Sequence, residues 1–217
     1  MEERQENEFK PIVTFIILGL NILIFFIEVA LHGEDDTKII LKMGGAYTPY
    51  ILENGQWYRL VTSMFLHFGI NHIVSNSIAL VAMGQYVEAY FGRIRYIIIY
   101  LLSGICGNLL SMYMDLKKGS FPVSVGASGA ICGILGAMII FAIDKRTRKT
   151  FPIPRIIFAL IMVLLPGFGD STIDAYAHIG GVISGFIISF PMYLIFFRKY
   201  EHLDTYAAEA ESDENVL

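Results

Sequence analysis

The sequence predicts an all-α polytopic membrane protein, a bundle of six transmembrane helices. Three observations carry this. Apolar residues make up 55% of the 217-residue chain and charged residues only 17%, where soluble domains carry ~25% charged residues. The apolar residues are gathered in runs near the ~20 residues that cross a bilayer, not spread in alternating or one-faced patterns. Lys and Arg are scarce inside those runs, as hydrocarbon requires. Backbone groups in lipid need internal partners, so the runs should be helices.

Residues 1–10 form a charged N-terminal segment, and the membrane domain is expected over residues 11–198. Its first span runs from about Pro11 to Leu31. The stretch Val29-Ala30-Leu31-His32 offers no small-x-small cleavage site, so this run reads as a retained span and not a signal peptide. A long loop follows, from His32 to about Phe65, rich in Ile39, Ile40, Leu41, Tyr47, Tyr50, Trp57 and Tyr58. Side chains of this kind favour the membrane interface, which predicts short interfacial helices. Within it, Gln56-Trp57-Tyr58-Arg59 reads on its own as an aromatic anchor beside a snorkelling arginine.

The second span is expected from Leu66 to Val87, the third from Ile94 to Met114 and the fourth from Val125 to Ile143. The fifth, Ile156 to Phe168, is short and ends in the helix-breaking pair Pro166-Gly167. The sixth runs from Ala175 to Phe197. Residues 199–217 form an acidic tail with Glu201, Asp204, Glu209, Glu211, Asp213 and Glu214, a composition that favours disorder.

An even number of spans puts both termini on one side. With the N-terminus inside, the inner segments hold Arg4, Lys10, Arg93, Arg95, Lys145, Arg146, Arg148, Lys149, Arg155, Arg198 and Lys199, 11 of the 16 Lys and Arg. The positive-inside bias therefore selects cytoplasmic termini. A net charge of −4 argues against a nucleic-acid partner. Cys106 and Cys132 fall inside apolar runs and read as small apolar side chains. No His/Cys cluster has metal-ligand spacing, so neither a metal nor another cofactor is expected.

Polar residues inside spans are costly and ask for a reason. His72 and Asn76 are four apart on one face of the second span. By themselves they could be hydrogen-bond glue between helices. The fourth span opens Gly126-Ala127-Ser128-Gly129. Gly129 and Gly133 permit close helix packing, while Gly-x-Ser-x-Gly is also a pattern found around nucleophilic serines. His178, Gly181 and Gly185 share one face of the sixth span. With the N-terminus inside, the second, fourth and sixth spans all enter from the outer surface. His72, Asn76, Ser128 and His178 then lie at one depth near that surface. A serine, a histidine and polar donors at one depth suit acyl-transfer chemistry.

At these residues the chain resembles the rhomboid family of intramembrane serine proteases, over about Gln56 to Gly185. Trp57-x-Arg59 resembles that family's Trp-Arg loop motif, and His72-x-x-x-Asn76 its motif on the second span. Gly126-x-Ser128 is similar to its nucleophile motif, and Ala177-His178-x-x-Gly181-x-x-x-Gly185 to its motif on the sixth span. Glu88, four residues before Gly92 and seven before Arg95, fits a structural pattern at the inner end of the second span. The resemblance implies a Ser128–His178 dyad, oxyanion donors from Asn76, His72 and the Ser128 N–H, and transmembrane proteins as substrates. It also implies a multi-pass plasma-membrane protein, lipid-embedded, with its site open to the outer side. One position departs: a Tyr common four residues after the nucleophile is Cys132 here. Asp174, one turn before His178, reads as a helix cap. A catalytically inactive client-binding relative and a channel or transporter are the alternatives. The second is disfavoured, since no internal repeat is visible and the polar residues lie near one face, not at the midplane.

Overall fold

The computed structural model describes residues 9–33, 35–168 and 173–196; the acidic tail and residues 1–8 lie outside the described residues. The chain forms α1 (Ile12–Ala30), then three short helices in the long loop, α2 (Thr37–Met43), α3 (Thr48–Leu52) and α4 (Arg59–Thr62). A 3-10 turn over Ser63–Phe65 leads to α5 (Gly69–Phe91), followed by α6 (Arg93–Lys118), α7 (Ser128–Ile143), α8 (Ile153–Leu164) and α9 (Ala175–Phe196). Among the described residues there is no β-strand, only an isolated antiparallel bridge between Ala46 and Ser124.

Several helices bury polar groups and leave much of their apolar surface on the outside. On α1, Thr14, Asn21 and Glu28 are buried while Phe15, Ile16, Leu23 and Phe26 are exposed. On α8 only Ile156 is buried. The apolar outer surface is what hydrocarbon solvates, and the chain is an integral membrane protein. By length and composition α1, α6 and α9 can each cross a membrane, and the bent pair Arg59–Phe65 with Gly69–Phe91 adds a fourth candidate. The remaining two expected spans appear as shorter apolar helices, Ser128–Ile143 and Ile153–Leu164.

The bundle is built around α7, which is buried on all sides from Gly129 to Phe141, as befits a helix that is apolar all round. It packs against α9, α6, α5 and α8, and α1 covers α5. Gly126 lies against His72 while Phe141 lies against Tyr90, so α5 and α7 run parallel. Gly129 meets Ala177 and Gly136 meets Val182, so α9 runs parallel to them. The starts of α5, α7 and α9 therefore gather at one end, here the site end.

The opposite end is closed by charge and aromatic rings. Glu88, fully buried, accepts the backbone N–H groups of Val13 (2.9 Å) and Thr14 (2.8 Å) and the Thr14 hydroxyl (2.8 Å). It thus caps α1, whose own N-cap, Pro11, offers no side-chain bond. A carboxylate there satisfies orphan donors and complements the helix dipole. Asp144, just past α7, accepts from the Arg146 backbone and guanidinium and from the Tyr90 hydroxyl. Burial pushes its carboxyl upward, but these bonds hold it below the ordinary carboxylate range.

Two helix starts differ from the sequence expectation. The second span was expected from Leu66, but Leu66 is extended (φ −92°, ψ 152°) and α5 begins at Gly69, after a 92° corner. The fourth was expected from Val125, but Ser124 pairs with Ala46 and α7 begins at Ser128 itself. In both cases long-range acceptors hold the preceding residues out of helical geometry: Glu28 takes the His67 N–H, and the Ser63 carbonyl takes the Gly126 N–H.

Candidate active site

The segment entering α7 is pinned from two sides. Ala46 and Ser124 exchange backbone hydrogen bonds of 3.0 and 2.9 Å, and the Gly126 N–H reaches the Ser63 carbonyl at 2.9 Å. Gly126 has φ +127°, and a Cβ there would stand 2.7 Å from His72 Cε1 and Nε2 and 3.6 Å from Asn76 Nδ2. Only glycine fits both demands. Ser128 follows as the first helical residue, half-exposed. Its backbone N–H belongs to the helix's first turn, whose donors lack intrahelical acceptors.

α9 brings His178 to the same end. Its backbone runs against α7 with no room for side chains: a Cβ on Gly181 would collide with the Gly129 carbonyl oxygen, and one on Gly185 with that of Gly133. Nearer the site end the fit is ordinary, with the Ala177 carbonyl 3.5 Å from where a Gly129 Cβ would sit. Ser128 and His178 thus each neighbour a residue of this contact. His178 is 8% exposed, and among the described residues its Nδ1 has no hydrogen-bond partner. Ser128 and His178 form no hydrogen bond with each other among the described residues. In ligand-free sites such bonds are commonly long.

On the facing helix, Asn76 is buried, and its Nδ2 is unpaired among the described residues. His72 lies beside it, and both side chains face Gly126. His67, fully buried, meets the His72 ring edge-on at 5.2 Å and 74°. The α5 corner is held by Glu28, which accepts the His67 N–H at 3.1 and 3.3 Å. Sequence reasoning passed over Glu28. The available signal was a carboxylate inside an expected span, which needs a buried donor to be tolerated.

The other expected positions fall into place around these. Cys132 is buried, its Cβ 3.0 Å from a Cβ placed on Gly181, one turn past His178 on α9. Trp57 is half-exposed, but Arg59 does not snorkel. It is buried, donates to the carbonyls of Leu41 (2.7 Å) and Gly45 (2.8 Å) and to Gln56 Oε1 (2.6 Å), and lies over the Tyr50 ring. A guanidinium with this many donors is well suited to tie a loop together through its carbonyls. The structure therefore brings Gly126, Ser128, Gly129, His178, His72 and Asn76 together. Trp57 and Arg59 lie in the flanking loop and Glu88 at the far end. No group of three or more His, Cys, Asp or Glu suited to a metal occurs among the described residues.

Comparison with known proteins adds an independent line. The rhomboid domain family matches residues 54–195. The chain is 38% identical to Rhomboid protease GluP of Bacillus subtilis (strain 168), over 82% of this chain and 34% of that protein. It is 36% identical to RHOMBOID-like protein 5 of Arabidopsis thaliana, over 71% of this chain and 50% of that one. It is 32% identical to Rhomboid protease AarA of Providencia stuartii, over 84% and 73%. The chain thus spans a third to a half of the length of the first two.

Proposed function

The chain belongs to the rhomboid family, and on that premise we propose that it is an intramembrane serine protease hydrolysing peptide bonds in or near transmembrane helices of other membrane proteins. The observation that supports this reading is that Ser128 and His178 lie at the same end of two helices in backbone contact, facing the end of α5 where the Asn76 Nδ2 is buried and unpaired among the described residues.

His178 removes the Ser128 proton as the hydroxyl attacks the scissile carbonyl, and then gives that proton to the leaving amine. Water, activated by the same imidazole, releases the acyl group. Asn76 Nδ2, His72 and the Ser128 backbone N–H face the developing oxyanion. Such donors act in the transition state, and losing one typically costs ~10²–10³ in rate. The mechanism calls on no cofactor. The six apolar helices cross the plasma membrane in alternation, with cytoplasmic termini by the positive-inside bias and the site opening outward. Gly129, Gly181 and Gly185 hold the dyad helices together, and Trp57, Arg59 and Glu88 support the frame.

The test is cleavage of a labelled single-span reporter in liposomes by the wild type and by Ser128→Ala. Cutting by the wild type that vanishes in the folded variant is the expected result. Equal cutting by both proteins would refute the assignment of Ser128.

A further inference from the structure

Asp174 immediately precedes α9, and its carboxylate joins three segments. Oδ1 accepts the Ala177 N–H at 2.9 Å, capping α9. Oδ2 accepts the hydroxyls of Ser111 on α6 (2.5 Å) and of Ser124 on the segment entering α7 (2.8 Å). The register is matched: Ser124 is four residues before Ser128, and Asp174 four before His178. Ser124 is held on its other side by the Ala46 bridge. The α9 glycines whose contacts with α7 forbid a side chain, Gly181 and Gly185, both lie past His178 along the helix; Asp174 ties the stretch before it.

We propose that Asp174 is a positioning residue, a clasp that fixes the start of α9 against the entry of α7 and so sets the approach of His178 to Ser128. The inference rests on reading those two as base and nucleophile. Asp174→Ala leaves two hydroxyls and a helix N–H without their acceptor and frees both segments. Asp174→Asn keeps the clasp: its carbonyl oxygen still caps α9, and its amide donates to hydroxyl oxygens that reverse their role.

The full chain in liposomes decides it, through kcat and KM on a single-span reporter. The rate at which a small fluorophosphonate labels Ser128 is measured alongside, and both are normalised to folded protein by thermal unfolding. A displacement near 1 Å can cost up to ~10² in rate, so kcat and labelling should fall together by about 10- to 100-fold in Asp174→Ala, with KM within about threefold. Asp174→Asn should stay within about threefold of wild type, and Ser124→Ala should fall between the two. Wild-type kcat and labelling in folded Asp174→Ala, or Asp174→Asn as impaired as Asp174→Ala, overturns the clasp. Should Asp174→Ala fail to fold, Ser124→Ala decides: reduced kcat and labelling support the clasp, unchanged rates overturn it. A wild type inert to both reporter and probe refutes the protease reading itself, and the clasp with it.

Discussion

α8 and α9 both pack on α7, yet they do so in opposite ways. α9 meets α7 backbone to backbone through Gly129, Gly133, Gly181 and Gly185, and buries Ala177, His178, Val182 and Ser184. α8 buries only Ile156 and turns Ile153, Ile157, Phe158, Ile161 and Met162 outward. Lipid tails are as apolar as those side chains, so nothing drives α8 inward except contact packing. The difference separates a tightly fixed wall from a lightly seated one. α9, which carries His178, is locked to α7, which carries Ser128, while α8 buries little. On the proposed protease reading, α8 is where entry of a substrate helix would demand least.

The contrast breaks most readily at the glycines. Gly185→Ala sets a methyl against the Gly133 carbonyl and should destabilise the protein by about 3 kcal/mol with loss of cleavage. Unfolding in mixed detergent micelles measures the first and the reporter assay the second. An unchanged midpoint would mean the two helices separate at little cost. Next in size is Ile156→Ala, which removes the one buried anchor of α8. In water such a truncation costs about 2–5 kcal/mol; with lipid as the competing solvent about 1–2 kcal/mol is expected. Cleavage should persist within a few-fold or rise, and complete loss would show α8 to be part of the fixed wall. The smallest effect belongs to Phe158→Ala, 63% exposed, which should shift stability by less than about 0.5 kcal/mol. A larger shift in the same unfolding assay would reveal a partner on that face.

The grouping of the candidate residues at one end of the bundle was readable because they repeat at the helical period. His72 with Asn76, and His178 with Gly181 and Gly185, need only one turn of geometry to share a face. The helix starts were not readable. Whether Leu66 or Gly69 opens α5 depends on Glu28, 39 residues from His67, and no local preference encodes that bond. Arg59 looked like a surface anchor for the same reason: its acceptors at Leu41 and Gly45 lie 18 and 14 residues away. Span counting was limited differently. α7 and α8 have 16 and 12 residues, so length identifies them less securely than α1, α6 or α9.

The capping of α1 by Glu88 has a consequence for how the protein is made. The acceptor for the Val13 and Thr14 N–H groups lies 75 and 74 residues downstream. When α1 leaves the ribosome, the acceptor that Val13 and Thr14 use in the folded protein does not yet exist, and it arrives only near the end of α5. The first helix is therefore capped late. Its amino end must be served by water or lipid headgroups until the second long helix docks, and a chain stalled before Glu88 would present an unfinished helix to the quality-control machinery of the membrane.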